Sequence, residues 1–206
     1  MLVIQKAAKR LLDVVGASLA LVMLSPLIAA IAVVVRSQIG SPIFFRQTRP
    51  GLHGEPFQIV KFRTMTADTA PDGALLSDDE RLGDAGRRLR RWSLDELPEL
   101  WNVVAGDMSL VGPRPLLMEY LPLYTDEQAR RHEVPPGVTG LAQVSGRNEV
   151  PWERRFEIDV WYVDNWSIWL DLKILMLTIR SVYSGRGVAE PGQATMTPFE
   201  GLSERE

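Results

Sequence analysis

The chain has 206 residues, of which 46% are hydrophobic and 24% charged, and its formal net charge is −3. The length fits one domain or at most two, and the composition excludes a collagen-like chain, a disordered chain and a strongly basic nucleic-acid binder. With no cysteine and only two histidines, the chain can have no disulfide or thiolate site, and a zinc site built on histidine pairs is disfavoured.

The positive charge is concentrated in the first third of the chain. Residues 1–63 contain eight Lys or Arg against two acids, whereas the remainder has an excess of acids. This bias suits contact with the anionic headgroups of membrane lipid. Scattered surface charge gives the same count, so the bias does not decide between the two interpretations.

An uncharged apolar run extends from Val14 to Val35. Its twenty-two residues are long enough to span a bilayer and too long for the core of a signal peptide. The pair Ser25-Pro26 divides the run, and the ring of Pro26 disrupts the helical hydrogen bonds one turn back. A serine hydroxyl can satisfy backbone groups freed in this way, so a sharp bend can persist in lipid.

Basic residues flank this run on both sides. Because positive residues favour the cytoplasmic side of a membrane, a helix that enters the bilayer and returns keeps both flanks inside. A kinked helix that crosses once is the alternative, and the residues leave it open. The flanks favour a re-entrant helix over 13–36, broken at Ser25 and Pro26, followed by a cytoplasmic part over 37–185.

The remaining pattern predicts a mostly helical α+β fold, with short strands and amphipathic helices packed on the membrane helix. Phe57 to Met65 is typical of a strand, with Lys61 and Arg63 on one face. Residues 66–86 are rich in Asp, Gly, Ala and Pro and are expected to form a loop. The tail over 186–206 has no periodicity and is expected to be mobile. Helices are predicted over 87–104, broken or capped near Ser93, and over 115–131, 151–165 and 169–183.

The segment from Leu89 to Pro115 carries the candidate chemistry. Ser93 and Glu96 fit a capping box, which would give Glu96 a purely structural role. Asp95 and Glu96 are adjacent on a helix, so their side chains diverge and cannot share a proton as a dyad. An aspartate kept ionised at a helix N-terminus can attack phosphorus and form an acyl phosphate.

Carboxylates repel an anionic phosphate, so such a site needs cations. The sequence has no P-loop and no GxGxxG turn, so arginines and a helix end must bind the phosphate. Two prolines fix the backbone around Arg114, whose planar guanidinium matches phosphate oxygens. Magnesium would fit, because it commonly binds one or two carboxylates together with substrate phosphates. The other arginines near these motifs are Arg87, Arg88, Arg90, Arg91 and Arg147.

Aromatic residues cluster late in the chain, between Trp152 and Trp169. Tryptophan and tyrosine are enriched at membrane interfaces, although about half of these side chains are expected in the core. The stretch over 171–183 is amphipathic, and it lies on the membrane plane or packs inward.

The chain resembles the monotopic phosphoglycosyl transferases, also called bacterial sugar transferases, in their minimal form without an additional membrane-spanning bundle. The matching segments occur in the family's order over nearly 8–180. They are KRLLDVVGASLALVMLSPL, GSPIFFRQTRPG, FQIVKFRTM, LRRWSLDELPELWNVVAGDMSLVGPRP, PPGVTGLAQVSGRN and DVWYVDNWSIWLDLKIL.

The resemblance implies transfer of a sugar phosphate from a UDP-sugar to polyprenyl phosphate, usually undecaprenyl phosphate, on the cytoplasmic face of the bacterial inner membrane. Asp95 would be the nucleophile that forms a covalent phosphosugar intermediate, and UMP would leave. Glu96 would help to bind Mg²⁺ or orient Asp95, which makes these two carboxylates the expected metal ligands. The expected phosphate-binding residues are Lys61, Arg63, Arg90, Arg114 and Arg147.

The resemblance also implies that Ser25 and Pro26 break a re-entrant membrane helix. The Arg147-Asn148-Glu149 stretch resembles members that use N-acetylated amino sugars. A membrane-anchored phosphohydrolase and a non-catalytic scaffold of a glycan assembly complex are the alternatives. The sequence leaves open which sugar is used, and it leaves a homo-oligomer open.

Overall fold

The computed structural model describes residues 3–70, 72–146, 150–184 and 198–201. In these ranges the fold is mostly helical α+β, with two small two-stranded sheets, as predicted. The helices are α1 (Val3–Gln38), α2 (Asp78–Arg81), α3 (Asp84–Arg91), α4 (Glu99–Ala105), α5 (Asp126–Ala129), α6 (Leu141–Val144), α7 (Trp152–Asp164) and α8 (Ile168–Ser184). The strands are β1 (Phe44–Pro50), β2 (Pro56–Phe62), β3 (Ser109–Val111) and β4 (Gly137–Thr139).

Helix α1 is long and apolar enough to cross a membrane, by length and composition alone. It stays helical through Ser25 and Pro26, so the predicted division into two separate helices is not what the structure shows. The backbone carbonyl that Pro26 leaves without its helical donor belongs to Val22, and the Ser25 hydroxyl donates to it at 2.8 Å. This hydrogen bond allows the helix to continue past the proline.

One face of α1 packs, near both of its ends, against the part of the chain that follows the helix. Near the amino end, Ala17 is buried against residues of β2 and α4. Near the carboxyl end, Ile31 and Val35 are buried against Phe62 of β2 and against α3. The opposite face of the same helix is exposed and apolar. Its exposed side chains include Ile4, Leu11, Leu12, Val15, Leu19, Val22, Met23 and Val33.

The strands β1 and β2 form an antiparallel hairpin, paired from Phe44 with Phe62 to Pro50 with Pro56. This confirms the predicted strand, which ends at Phe62 rather than at Met65. The second sheet is parallel and pairs Ser109 with Gly137. Its two strands stand just before the segments that contain Arg114 and Gln143.

Two predicted elements differ from the structure. The predicted loop over 66–86 contains α2 and the beginning of α3. In place of one helix over 115–131 there are two 3-10 turns around the short helix α5, and Pro122 lies within the first turn. The structure confirms a break near Ser93 and the helices predicted over 151–165 and 169–183.

Helices α7 and α8 complete the fold. Phe156 and Tyr162 of α7 and Ile174 of α8 are buried, whereas Trp161 and Trp169 are exposed. The predicted tail lies outside the described residues except for 198–201. There Phe199 is buried among four aromatic rings. Those rings belong to Tyr120, Tyr124, Trp152 and Phe156.

Candidate active site

A cavity of about 1830 Å³ lies beside the β1–β2 hairpin. Its lining includes Lys61, Asp95, Glu96 and Arg114, together with residues of α1 and α8. This volume exceeds that of a common small-molecule pocket. It is therefore large enough for a nucleotide-sized ligand with room for part of a second substrate.

Asp95 and Glu96 stand in a short 3-10 turn, Leu94–Glu96, that leads into α4. Ser93 precedes the turn in a left-handed conformation (φ 52°), and its side chain makes no capping hydrogen bond. The predicted capping box at Ser93 is therefore wrong. After this turn the Glu96 carboxylate contacts Lys61 of the hairpin, and Asp95 lines the cavity.

Glu96 is held between two cations instead. Its Oε1 accepts hydrogen bonds from Lys61 Nζ at 3.1 Å and from Arg114 Nη2. Burial by itself raises the pKa of Glu96, but the charges of Arg114 and Lys61 outweigh burial and lower its pKa well below the ordinary value. Glu96 is therefore ionised and fixed in place.

Glu99 is a buried acid at this site that the sequence reasoning missed. It is 1% exposed, and its Oε1 lies 2.9 Å from Lys61 Nζ. Burial raises its pKa to about 7, against the opposing charge of Lys61. The spacing of Glu96 and Glu99 was an available signal, since residues three apart share one face of a helix.

Asp95 also has Lys61 and Arg114 nearby, but neither of them donates a hydrogen bond to its carboxylate. It is 9% exposed and lines the cavity. In the described ranges, the hydrogen bonds made by side chains include none to its carboxylate. Burial and the charge of Glu96 raise the pKa of Asp95, while Lys61, Arg90 and Arg114 oppose the rise. The pKa of Asp95 is therefore raised, whereas a helix N-terminus alone would lower it, because burial is the largest of these effects.

Arg90 reaches the site from α3. Its Nε donates to Thr64 Oγ1 at 3.1 Å. The close packing of α3 that allows this contact depends on Gly86, where an added Cβ would lie 2.0 Å from the carbonyl oxygen of Thr64. The backbone at Gly86 therefore sets the position of the Arg90 guanidinium.

Arg114 is positioned by a similar approach of two backbone segments. At Gly112 an added Cβ would lie 2.4 Å from the carbonyl oxygen of Pro135. The carbonyl oxygen of Arg114 accepts a hydrogen bond at 2.8 Å from Arg131, whose guanidinium also forms a buried ion pair with Asp159. The neighbouring prolines and this contact hold the Arg114 backbone against the cavity wall.

The other predicted phosphate-binding residues differ in their positions. Arg63 lines the cavity, and its guanidinium donates to the carbonyl oxygen of Ser41 at 2.6 Å. Arg147 lies outside the described residues, as do Asn148 and Glu149, on which the amino-sugar prediction depends. The remaining arginines before Ser93 are exposed on α3, as expected for surface charges. They are Arg87, Arg88 and Arg91.

Comparison with known proteins identifies the family. The family model described as "Bacterial sugar transferase" matches residues 4–185. The chain is 57% identical over 193 residues to "Uncharacterized sugar transferase EpsL" of Bacillus subtilis, a match that covers 94% of this chain and 96% of that protein.

Other relatives carry a more specific name, "UDP-glucose:undecaprenyl-phosphate glucose-1-phosphate transferase". The Caulobacter vibrioides protein is 44% identical, over 84% of this chain and 69% of its own length. The Klebsiella pneumoniae protein is 42% identical over 83% of this chain, and the match covers 39% of its own length. The family match spans both the apolar helix and the cavity with its two carboxylates. The chain therefore belongs to the bacterial sugar transferase family.

Proposed function

We propose that this protein transfers a sugar phosphate from a UDP-sugar to polyprenyl phosphate and releases UMP. The observation that carries the proposal is the difference between two adjacent carboxylates. Glu96 is fixed by Lys61 and Arg114, whereas Asp95 has cations nearby and no hydrogen-bond donor on its carboxylate among the described residues. One acid is thus available as a nucleophile, and the other holds the cations beside it.

The proposed chemistry has two displacements. A carboxylate oxygen of Asp95 attacks the phosphorus that carries the sugar, and the bond to the bridging oxygen breaks, so that UMP leaves with that oxygen. A phosphate oxygen of the polyprenyl acceptor then attacks the same phosphorus. The acyl phosphate bond breaks and the Asp95 carboxylate is restored. Covalent capture allows two bulky substrates to react in turn at one site.

The cations supply the stabilisation that phosphoryl transfer mainly needs, which is positioning and charge neutralisation. Lys61 and Arg114 are held in place by Glu96, so they are already in position before substrate binds. The raised pKa of Asp95 means that burial disfavours its charged form. Additional positive charge in the cavity would lower that pKa and favour the nucleophilic carboxylate.

We propose Mg²⁺ as the source of that charge. In the described part of the chain, no group of three or more His, Cys, Asp or Glu residues is suited to hold a metal ion by itself. The residues present fit a cation that is bound jointly by a carboxylate and substrate phosphates, which is the usual arrangement for Mg²⁺. Asp95 fits this role better than Glu96, because Oε1 of Glu96 is already bonded to two cations. When bound, Mg²⁺ would neutralise charge on the diphosphate.

We also propose that α1 enters the membrane from one side and returns, which requires the continuous helix to bend, and the expected position of the bend is Pro26. Both ends of the helix contact the part of the chain that follows it. Lys9 pairs with Asp171 at 2.6 Å near one end, and Val35 is buried near the other end. A helix that crossed the bilayer once would place these two ends on opposite sides. The exposed apolar face of α1 is then the surface that meets lipid.

Helix α8 extends this apolar surface. Its exposed apolar residues occur every three or four positions and form one stripe, whereas Asp171 and Ile174 face inward. This pattern supports a helix that lies in the membrane interface with its inner face on the fold. The stripe consists of Trp169, Leu172, Met176 and Ile179.

Product analysis tests the proposed reaction. The purified protein is incubated with UDP-glucose, undecaprenyl phosphate and Mg²⁺, and a lipid-linked glucose diphosphate together with UMP is expected. Free glucose 1-phosphate would indicate a phosphohydrolase. Activity retained in Asp95→Asn would reject the proposed nucleophile. A panel of UDP-sugars, including N-acetylated ones, scored by UMP release would identify the donor.

The topology has a separate test, because the chain contains no cysteine. Single cysteines at Gln5 and Gln38 are probed with a membrane-impermeant thiol reagent added outside intact cells. Both are expected to stay unlabelled until the cells are opened. Labelling of either one from outside would reject the one-sided arrangement and place α1 across the bilayer.

A further inference from the structure

The strand β1 presents one face to the cavity, and the sequence analysis gave that strand no role. Phe45, Gln47 and Arg49 line the cavity, as expected for alternate residues of a strand. Arg46, on the other face, is exposed and does not line the cavity. Strand β1 thus adds Gln47 and Arg49 to the polar lining that β2 provides through Lys61.

Arg49 differs from Arg114 because it has no carboxylate partner among the described residues. Its Nη2 donates to Gln47 Oε1 at 2.7 Å, and its Nε is buried with no hydrogen-bond acceptor among the described residues. None of the ion pairs within the described ranges involves Arg49. A half-buried guanidinium whose Nε has no hydrogen-bond acceptor costs free energy unless an anion binds to the group.

The shift in the pKa of Arg49 identifies its charged neighbours. Burial, and then the like charge of Arg114, lower its pKa to about 10, while the nearby acid Glu99 opposes the shift. The cations whose charges act on Asp95 are Lys61, Arg90 and Arg114. Arg114 is common to both groups, so its charge acts on Asp95 and on Arg49, and all three side chains line the same cavity.

We propose that Arg49 and Arg114 together bind the second phosphate of the donor, the one that departs as UMP. This inference rests on the proposed function. Asp95 attacks the sugar-bearing phosphorus, and the next phosphate of the diphosphate extends away from Asp95, where the Arg49 and Arg114 guanidinium groups can bind its oxygens in the planar manner that phosphate favours. In the second displacement the phosphate of the lipid acceptor takes the same position.

The test compares the binding of UMP with the binding of uridine by titration calorimetry of the purified full-length protein. Arg49→Gln is expected to weaken UMP binding about tenfold or more, because one charge-assisted contact is lost, and to leave uridine binding unchanged. Arg49→Lys keeps the positive charge but loses the planar guanidinium. Its affinity for UMP is expected to lie between that of the wild type and that of Arg49→Gln. Arg46→Gln on the exposed face of the same strand is the matched control, and it should behave like the wild type.

The uridine measurement shows whether a loss of UMP binding is specific to the phosphate, which uridine lacks. Equal loss of UMP and uridine binding, or no loss of either, would overturn the assignment of Arg49. Weaker binding of undecaprenyl phosphate alone, with normal UMP binding, would also overturn it. Binding of UMP needs no turnover, so the binding measurement is independent of the product analysis. Failure to make lipid-linked sugar would refute the proposed function even if Arg49 binds UMP.

Discussion

The hydroxyl of Ser25 donates a hydrogen bond of 2.8 Å to the carbonyl oxygen of Val22. Val22 lies four residues before Pro26, and proline has no backbone N–H to donate to it. The serine therefore replaces the donor that the proline removed. In lipid no water is available for this carbonyl, so the replacement matters only if this part of α1 lies in the membrane.

Substitution of Ser25 by alanine is expected to lower the free energy of unfolding in lipid nanodiscs by about 1 to 3 kcal/mol, the cost of an unpaired buried acceptor. Ser37→Ala is the matched control. The Ser37 hydroxyl makes the same kind of bond to Val34, at 3.1 Å, but the residue four positions after Val34 is Gln38, which retains its N–H. Equal and small losses in both variants would show that water reaches Val22 and would contradict insertion of this segment.

The pairing of Lys9 with Asp171 gives a second prediction. Lys9 Nζ lies 2.6 Å from Asp171 Oδ2, and Tyr162 and Trp166 donate to the same carboxylate. Removal of one partner leaves a buried charge, so Lys9→Met is expected to destabilise the protein by about 3 to 5 kcal/mol. The change is read from the free energy of unfolding of the purified protein in detergent.

Two further variants define this result. Lys6→Met removes an exposed charge from the same helix and should change stability little. The double variant Lys9→Met with Asp171→Asn removes the unpaired charge as well, so it should be more stable than Lys9→Met alone. A double variant less stable than the single one would show that the carboxylate is stabilised by its other donors and not by Lys9.

The raised pKa of Glu99 predicts a pH dependence of stability. Its pKa rises from the ordinary 4.5 to about 7 in the folded chain, so the folded state holds this proton more tightly than the unfolded state does. The contribution of protonated Glu99 to the stability of the folded state is fully present below pH 4.5 and is lost as the pH rises towards 7. Wild type should therefore lose stability relative to Glu99→Gln over this interval, and the difference should be constant above it.

Denaturant unfolding of both proteins between pH 4 and 8, about the interval set by these pKa values, measures the difference directly. A difference that stays constant across the whole interval would contradict the raised pKa of Glu99. The titrations of Asp95 and Glu96 are present in both proteins and largely cancel in the comparison.

The close approach at Gly86 gives a prediction about Arg90. In Gly86→Ala the new Cβ would lie 2.0 Å from the Thr64 carbonyl oxygen, so α3 must move and carry Arg90 away from the site. The expected result is a large loss of sugar-phosphate transfer. Gly83→Ala is the control, because nothing lies within 4 Å of its added Cβ. Full activity in Gly86→Ala would show that Arg90 does not need its observed position.

Local pattern was sufficient for some elements and not for others. The alternation of Phe57 to Phe62 and the spacing in α7 and α8 predicted those elements, because each buries one regular face. The short helix α2 and the 3-10 turns have too few residues to show a period. The left-handed conformation of Ser93 was not predictable, since it depends on how α3 and α4 meet.

The site was predictable in its residue types and less so in its contacts. The expectation that Asp95 and Glu96 take separate roles agrees with their different surroundings. The partners of Glu96 come from β2 and from the segment after β3, and the pairing of Lys9 with Asp171 joins residues 162 positions apart. A single sequence contains no signal for contacts at that separation, and the same reason explains why Arg49 was missed.

The central claim is that Asp95 forms a covalent bond to the phosphorus of the sugar phosphate. Intact-protein mass spectrometry after mixing with UDP-glucose and Mg²⁺, without lipid acceptor, tests it most directly. We expect an adduct of the mass of glucose phosphate, located at Asp95 by peptide mapping, absent in Asp95→Asn and lost when undecaprenyl phosphate is added. An active protein that makes lipid-linked sugar but never carries this adduct, or that carries it at another residue, would show that Asp95 is not the nucleophile.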